Sequence, residues 1–277
     1  MSGTVTLLES LEISRKVDIR IELGEHIRKL NENDLFHLRL ALTRHGAICL
    51  EEQNLSPFDL ITFVKKWGSI VEQISPDLTY YDDIGPTLTG VGNIRVDGSI
   101  IDQYKHGEVW HHDGTFWQPG DNNLATFLHA KILPNKGGAT AFLDTQEAYQ
   151  LLPDDVKARL DNCVFTANIN SSETKKCNYI PPTTHRTVMV HPASKKPSLY
   201  IANSPADIIN EETREIIMQP EQLISIVESL VTPVEHNWQS GDVLIFDNIQ
   251  LMHRSVGGYG NQPRLLHRCQ ARLSYNE

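Results

Sequence analysis

Cysteine is scarce in this chain: four among 277 residues, Cys49, Cys163, Cys177 and Cys269, none in a C-x-x-C pair. That spacing excludes a zinc ribbon and suits reduced thiols in a reducing compartment. No apolar stretch approaches the roughly 20 residues of a membrane helix. Met1 to Leu11 lacks the charged start and apolar run of a secretion signal. A soluble, cytoplasmic protein with no membrane partner is therefore expected, and Asn170-Ser171-Ser172 reads as a coincidental glycosylation acceptor. Positive charge is also short, with 25 Lys+Arg against 35 Asp+Glu and a net charge of -10. A binder of phosphate backbones needs a basic face, so nucleic acid is excluded as a partner. Repeats and low-complexity stretches are absent, and the chain is long enough to bury a sizeable core.

Apolar periodicity supplies the elements. Ile27 to His45 has helical spacing, with Leu30, Leu35, Leu38 and Leu42 set among charges, and Gly46 to Leu50 reads as a buried strand. Ser56 caps and Pro57 opens a helix predicted to run to about Trp67. The stretch to Glu108 is rich in Gly, Pro and Asp, with a strand at Thr87 to Arg95. Further strands are expected at 123–132, 140–143, 188–191, 198–202, 243–247 and 265–273, and helices at 145–152, 153–161 and 220–230. Strands dominate the second half without β-α-β alternation. The predicted fold is therefore mainly β with flanking helices, an antiparallel barrel or jelly roll.

The segment Trp110-His111-His112-Asp113-Gly114-Thr115-Phe116 carries the chemistry. On a strand, His111 and Asp113 project to one side and His112 to the other. Two histidines and a carboxylate on one side of a metal leave its other side open, the ligand set of non-haem Fe(II) oxygenases. The third ligand must come from a distant strand; a lone His253 stands just before a cluster of arginines. Taken alone, a His-x-Asp pair is more often polar surface or satisfied core. The last strand adds a second signal. One face carries Arg264, Leu266, Arg268, Gln270 and Arg272; the other carries Leu265, His267, Cys269, Ala271 and Leu273. An isolated strand of this kind is an exposed basic edge. Inside a closed roll its arginines need anions, and guanidinium forks match carboxylates.

Together, Trp110 to Phe116, Gly137-Gly138-Ala139-Thr140, His185 through His191-Pro192, Trp238 to Asp242 through Asp247-Asn248, His253, and Arg264-Leu265-Leu266-His267-Arg268 resemble the taurine and dichlorophenoxyacetate dioxygenase family. The match runs in order from about Gly46 to Arg268. The resemblance implies a single domain over 1–277, a double-stranded β-helix (jelly roll), with lid loops at about 72–108 and 166–185. It implies Fe(II) held by His111, Asp113 and His253, with 2-oxoglutarate and O2 as cosubstrates. Arg264, eleven residues after His253, matches the arginine that grips the distal carboxylate of 2-oxoglutarate, and Thr140 the residue assisting it. Arg268 matches a second arginine that holds an anionic substrate group in some relatives. The implied reaction releases succinate and CO2 and oxidises an unactivated C–H bond, most simply by hydroxylation. A homodimer is implied by the family alone.

The intact carboxylate at Asp113 disfavours halogenation, since related halogenases have a small residue there. Gln73 to Leu78 and His106 to Val109 lack the histidine and asparagine of taurine-binding relatives, so a small carboxylate-bearing metabolite is expected instead. Phe116 and Tyr104, with Tyr80, Tyr81, His106 and Tyr179, are candidate pocket residues that serve packing equally well. His185, His191, His129 and His267 read as structural, His112 as a hydrogen-bonding neighbour of the metal site, and Asp247-Asn248 as a turn leading to His253. Desaturation and other oxidative tailoring of natural products use the same ligands and stay open. So do two other classes, a zinc hydrolase and a non-catalytic jelly-roll binding protein. The presence of Arg264 and Thr140 argues against both.

Overall fold

In the computed structural model, which describes residues 18–21, 27–72, 86–94, 98–101, 107–168, 181–202 and 206–274, two antiparallel sheets face each other and helices cover their outer sides. In chain order the strands are β1 (Asp18–Ile21), β2 (Ala47–Leu50), β3 (Gly68–Ile70), β4 (Thr89–Gly92), β5 (Leu124–Ile132), β6 (Thr140–Asp144), β7 (Cys163–Ala167), β8 (Thr183–Arg186), β9 (Val188–Val190), β10 (Pro197–Leu199), β11 (Ile208–Asn210), β12 (Ile216–Met218), β13 (Val234–His236), β14 (Val243–Asp247), β15 (Leu251–Ser255) and β16 (Leu265–Leu273). The α-helices are α1 (Glu32–His45), α2 (Pro57–Lys65), α3 (Thr145–Leu151), α4 (Asp154–Leu160) and α5 (Pro220–Leu230).

The major sheet has the order β1-β2-β14-β5-β16-β3, with β4 also paired to β16. Only β1 on β2 is parallel within it. The minor sheet is β13-β6-β15. Alternation decides which side chains meet between them. Leu128, Leu244, Phe246 and Leu266 from the major sheet pack on Phe142 and Leu251 from the minor one. The residues between these, Phe127, Val243, Ile245, Cys269 and Ala271, face the other way and pack beneath α1 and α2 with Leu38, Leu60, Val64 and Trp67. The expected apolar face of β16 thus lies on helices, and its arginine face points between the sheets. A third apolar cluster lies outside the minor sheet, where Ala141, Leu143 and Met252 meet Leu223 and Val227 of α5. The arrangement is a jelly roll.

Capping chemistry trims the expected helices. Asn31 and Asp34 form a reciprocal capping box, so the predicted Ile27 to His45 helix divides into a 3-10 turn at Ile27–Lys29 and α1. Ser56 and Asp59 cap α2 in the same way, with Pro57 in the first turn; α2 ends at Lys65, two residues short of Trp67. Between Leu265 and Leu266 the pairing of β16 with β5 jumps from Ile132 to Ala130, so Lys131 is an extra residue beside the arginine end of the strand. The three-residue strands β3, β9, β10, β11, β12 and β13 are too short for a periodicity reading, and only β9 and β10 fall where strands were predicted. Cys49, Cys163 and Cys269 are buried and form no disulfide. No helix among the described residues is long and apolar enough to cross a membrane. The expected lid loops fall largely on 73–85, 95–97, 102–106 and 169–180, outside the described residues, as do Tyr80, Tyr81, Tyr104, His106, Tyr179 and Cys177.

Candidate active site

β15 turns Leu251 and His253 toward the space between the sheets and Met252 away from it. His111 joins His253 through a single antiparallel bridge: its N–H donates to the His253 carbonyl at 3.1 Å, and the His253 N–H returns to the His111 carbonyl at 2.9 Å. The expected strand through Asp113 is therefore one bridged residue followed by a turn. Gly114 makes that turn at φ 83°, and a Cβ there would lie 2.4 Å from Leu124 Cδ1, so no larger residue fits. His111 and Asp113 still share a side.

The ligand atoms of His111, Asp113 and His253 lie within 4.8 Å of one another. Each imidazole Nε2 is 3.8 Å from an Asp113 oxygen. That is beyond hydrogen-bond reach, yet within the span of two ligands each about 2.1 Å from one ion. His111 Nδ1 lies 2.8 Å from the Val109 carbonyl. Donation there leaves the Nε2 lone pair for a metal. Burial, and then the neighbouring His111, drive His253 well below the ordinary imidazole pKa, so it is neutral as a ligand must be. Burial pushes the Asp113 carboxyl upward, but the neighbouring charges, Arg268 among them, and the Thr126 hydrogen bond outweigh it and hold the carboxyl below the ordinary carboxylate value. Two imidazoles and one carboxylate fit Fe(II).

Around Asp113 lie Thr126, Gln270 and Asn248, which the sequence did not single out for the site, and Arg268, which it did. Asp113 Oδ2 accepts from Thr126 Oγ1 at 3.1 Å and Gln270 Nε2 at 2.8 Å. Its backbone N–H donates to Asn248 Oδ1 at 3.2 Å. Arg268 reaches the same oxygen at 3.9 Å with NH1 and donates from Nε to Thr89 Oγ1 at 3.3 Å. Alternation along β16 placed Gln270 on the inward face, but no sequence signal tied it to a residue 157 positions away. Phe116 lies in the turn after Asp113; its carbonyl accepts from Thr183 Oγ1 at 3.1 Å and its ring rests 5.1 Å from that of Trp117.

Arg264 is only 2% exposed. Its Nε donates to the Gly138 carbonyl at 3.1 Å, its backbone N–H to Asn93 Oδ1 at 2.8 Å, and its guanidinium lies 5.7 Å from the centre of the Tyr259 ring. Thr140 pairs with Ser255 on β15, two residues from the Phe142–His253 pair, so it shares the His253 face. The Thr140 hydroxyl accepts from Trp238 Nε1 at 3.1 Å. A cleft of about 190 Å³ lined by Lys136, Gly137, Gly138, Asn237 and Trp238 adjoins these two residues.

His191 and His112 have partners of their own away from the three ligand atoms. His191 Nε2 meets Asp247 Oδ2 at 3.0 Å, while Asp247 Oδ1 accepts the N–H groups of Ile249 and Gln250 and so shapes the turn into β15. His112 faces away from the metal site, against Tyr200 and the Ile201 backbone; burial brings it down to about 3. Cys49, His236 and Asp242 also bring donor atoms together, but all three are sealed from solvent, and Asp242 Oδ2 closes a turn by accepting the Gln239 N–H at 2.9 Å.

Comparison with known proteins agrees with this geometry. The model of the taurine catabolism dioxygenase TauD, TfdA family matches residues 19–270. The (S)-phenoxypropionate/alpha-ketoglutarate-dioxygenase of Delftia acidovorans is 26% identical over 269 residues, covering 88% of each chain. The alpha-ketoglutarate-dependent sulfate ester dioxygenase of Pseudomonas putida is 25% identical over 195 residues, 63% of this chain and 62% of its own. The fold matches the crystal structure of AAD-2 in complex with Mn(II) and N-oxalylglycine with a TM-score of 0.75, over 95% of this chain and 98% of that one, at 21% identity. The chain belongs to the taurine catabolism dioxygenase TauD, TfdA family, and it is an Fe(II)- and 2-oxoglutarate-dependent dioxygenase.

Proposed function

We propose that this dioxygenase hydroxylates an unactivated C–H bond of a small anionic metabolite, most simply a carboxylate, as one oxygenase domain that is cytoplasmic and homodimeric. His111, Asp113 and His253 hold Fe(II), Arg264 and Thr140 hold the distal carboxylate of 2-oxoglutarate, and Arg268 holds the anionic group of the substrate. The observation that carries this reading is the convergence of the three ligand atoms within 4.8 Å, beside a strand whose inward face bears both arginines. Bound there, Fe(II) and 2-oxoglutarate supply the oxidising chemistry, converting O2, cosubstrate and a C–H bond into C–OH, succinate and CO2.

The protein's own part is orientation. Arg264 is buried and anchored at its Nε and backbone, so its fork meets a carboxylate in one pose. Arg268 is anchored at Thr89 and stands 3.9 Å from Asp113. An anion on its guanidinium would sit next to the metal ligands. Phe116, in the turn beside Asp113, forms one wall; Tyr104, proposed for the same pocket, is outside the described residues. The choice of an anionic substrate is supported by the relatives named for a phenoxypropionate and a sulfate ester.

Anaerobic reconstitution with Fe(II) followed by 2-oxoglutarate tests the site. A weak visible charge-transfer band, absent in Arg264→Ala, is the expected result. Screening carboxylates, sulfonates and sulfate esters by succinate release then finds the substrate class, and product analysis separates hydroxylation from desaturation. No band, with zinc tightly retained, would remove the oxygenase assignment of these residues in favour of a hydrolase or a binding protein.

A further inference from the structure

Asp113 carries two oxygens, and their surroundings differ. Oδ2 receives the Thr126 hydroxyl at 3.1 Å and the Gln270 amide at 2.8 Å, which together engage both of its lone pairs. Oδ1 stands 3.8 Å from His111 Nε2, and Oδ2 itself stands 3.8 Å from His253 Nε2 and 3.9 Å from Arg268 NH1.

The direction of each hydrogen bond is forced by the next. Thr126 Oγ1 accepts from Gln270 Nε2 at 2.9 Å and from Asn248 Nδ2 at 2.8 Å. With both hydroxyl lone pairs occupied by amide donors, its proton has Asp113 Oδ2 as its destination. Asn248 is oriented in turn, because its Oδ1 accepts the Asp113 backbone N–H and its Nδ2 also donates to the Leu124 carbonyl at 3.2 Å. Turning the Gln270 amide around would set its oxygen against the carboxylate, so that orientation is fixed too. Thr126, Asn248 and Gln270 are 1%, 0% and 5% exposed, and water does not compete for these bonds.

We infer that Thr126 and Gln270, aimed by Asn248, are positioning residues that hold the Asp113 carboxylate through Oδ2 in the orientation the metal requires. The inference rests on the proposed metal role of His111, Asp113 and His253.

The test is anaerobic Co(II) titration of the metal-free full-length chain, read by the visible d–d absorption, in wild type, Thr126→Val, Thr126→Ser, Gln270→Leu and Asp113→Ala. Thr126→Val and Gln270→Leu are expected to weaken Co(II) binding by about 10–100-fold and to shift the band, while Thr126→Ser, which keeps the hydroxyl, behaves as wild type. A merely structural role would lower the unfolding temperature of the metal-free variants but leave affinity and band unchanged. That result in both Thr126→Val and Gln270→Leu overturns the inference. Wild type that binds no Co(II), or binds it equally well after Asp113→Ala, overturns the metal site itself and the inference with it.

Discussion

The Nε of Arg264 donates to the carbonyl of Gly138, 3.1 Å away, and at Gly138 any side chain would be strained and pressed against Arg264. It sits at φ 74°, and a Cβ there would stand 3.0 Å from the same Arg264 nitrogen. Arg264 and the glycine are thus two halves of one fitting.

Replacing either half should loosen 2-oxoglutarate. Arg264→Lys retains charge but loses the fork, and 2-oxoglutarate affinity should fall by about 10–100-fold, the worth of a charge-assisted bidentate contact. Gly138→Ala should cost about 1 kcal/mol of stability from its backbone conformation and displace the guanidinium. Anaerobic 2-oxoglutarate titration of the Fe(II) protein checks both, and an unchanged dissociation constant in Arg264→Lys would remove Arg264 from the site.

Trp238→Phe removes the indole N–H that Thr140 accepts, together with part of a ring that packs on His236. The expected change is small, about 0.5–1.5 kcal/mol in apparent 2-oxoglutarate binding, the net value of one neutral hydrogen bond. A rise in KM for 2-oxoglutarate with little change in kcat would agree. A loss of kcat alone would place Thr140 elsewhere in the mechanism.

Acid should weaken the fold before the carboxylates titrate. His129 and His267 lie on the outward faces of β5 and β16, 6.4 Å apart, and burial brings each from the ordinary 6.5 to about 4. Between those values the unfolded chain binds protons that the folded chain refuses. Stability therefore falls as pH drops from about 6.5 to about 4, by up to roughly 3 kcal/mol for each histidine. Urea denaturation at a series of pH values measures the slope, which His267→Leu should flatten. An equal slope in that variant would assign the acid sensitivity to other groups.

At the surface, Ser56→Ala deletes the cap of α2, whose Oγ accepts the Asp59 N–H at 3.2 Å. A loss of about 1 kcal/mol is expected from thermal or urea unfolding, with 2-oxoglutarate binding intact.

Much of this architecture was legible because neighbours in sequence enforce it. The Asn31 and Ser56 caps act within three residues, and alternation along Leu265–Leu273 correctly sent Arg268 and Gln270 inward and Cys269 and Ala271 toward the helices. His111, Asp113 and His253 were named from motif resemblance and do meet. Their setting was misread, since the strand expected through His111 and Asp113 is a single bridge and a turn whose partner lies on β15. The strand carrying His253 escaped periodicity because Leu251-Met252-His253-Arg254-Ser255 is apolar on both sides at its start, each side facing a different cluster. Thr126 and Asn248, 13 and 135 positions from Asp113, escaped as its contacts because hydrogen bonds between separate elements leave no local pattern.

The bridge that joins His111 to His253 gives the site a property of timing. Because the two histidines are partners through their backbones, the chain brings them together while it folds, and the ordering entropy of that approach falls on folding rather than on metal capture. Metal arrival should then be fast and cause little rearrangement. Its imprint would be slower amide hydrogen exchange confined to His111, His253 and the seam between them.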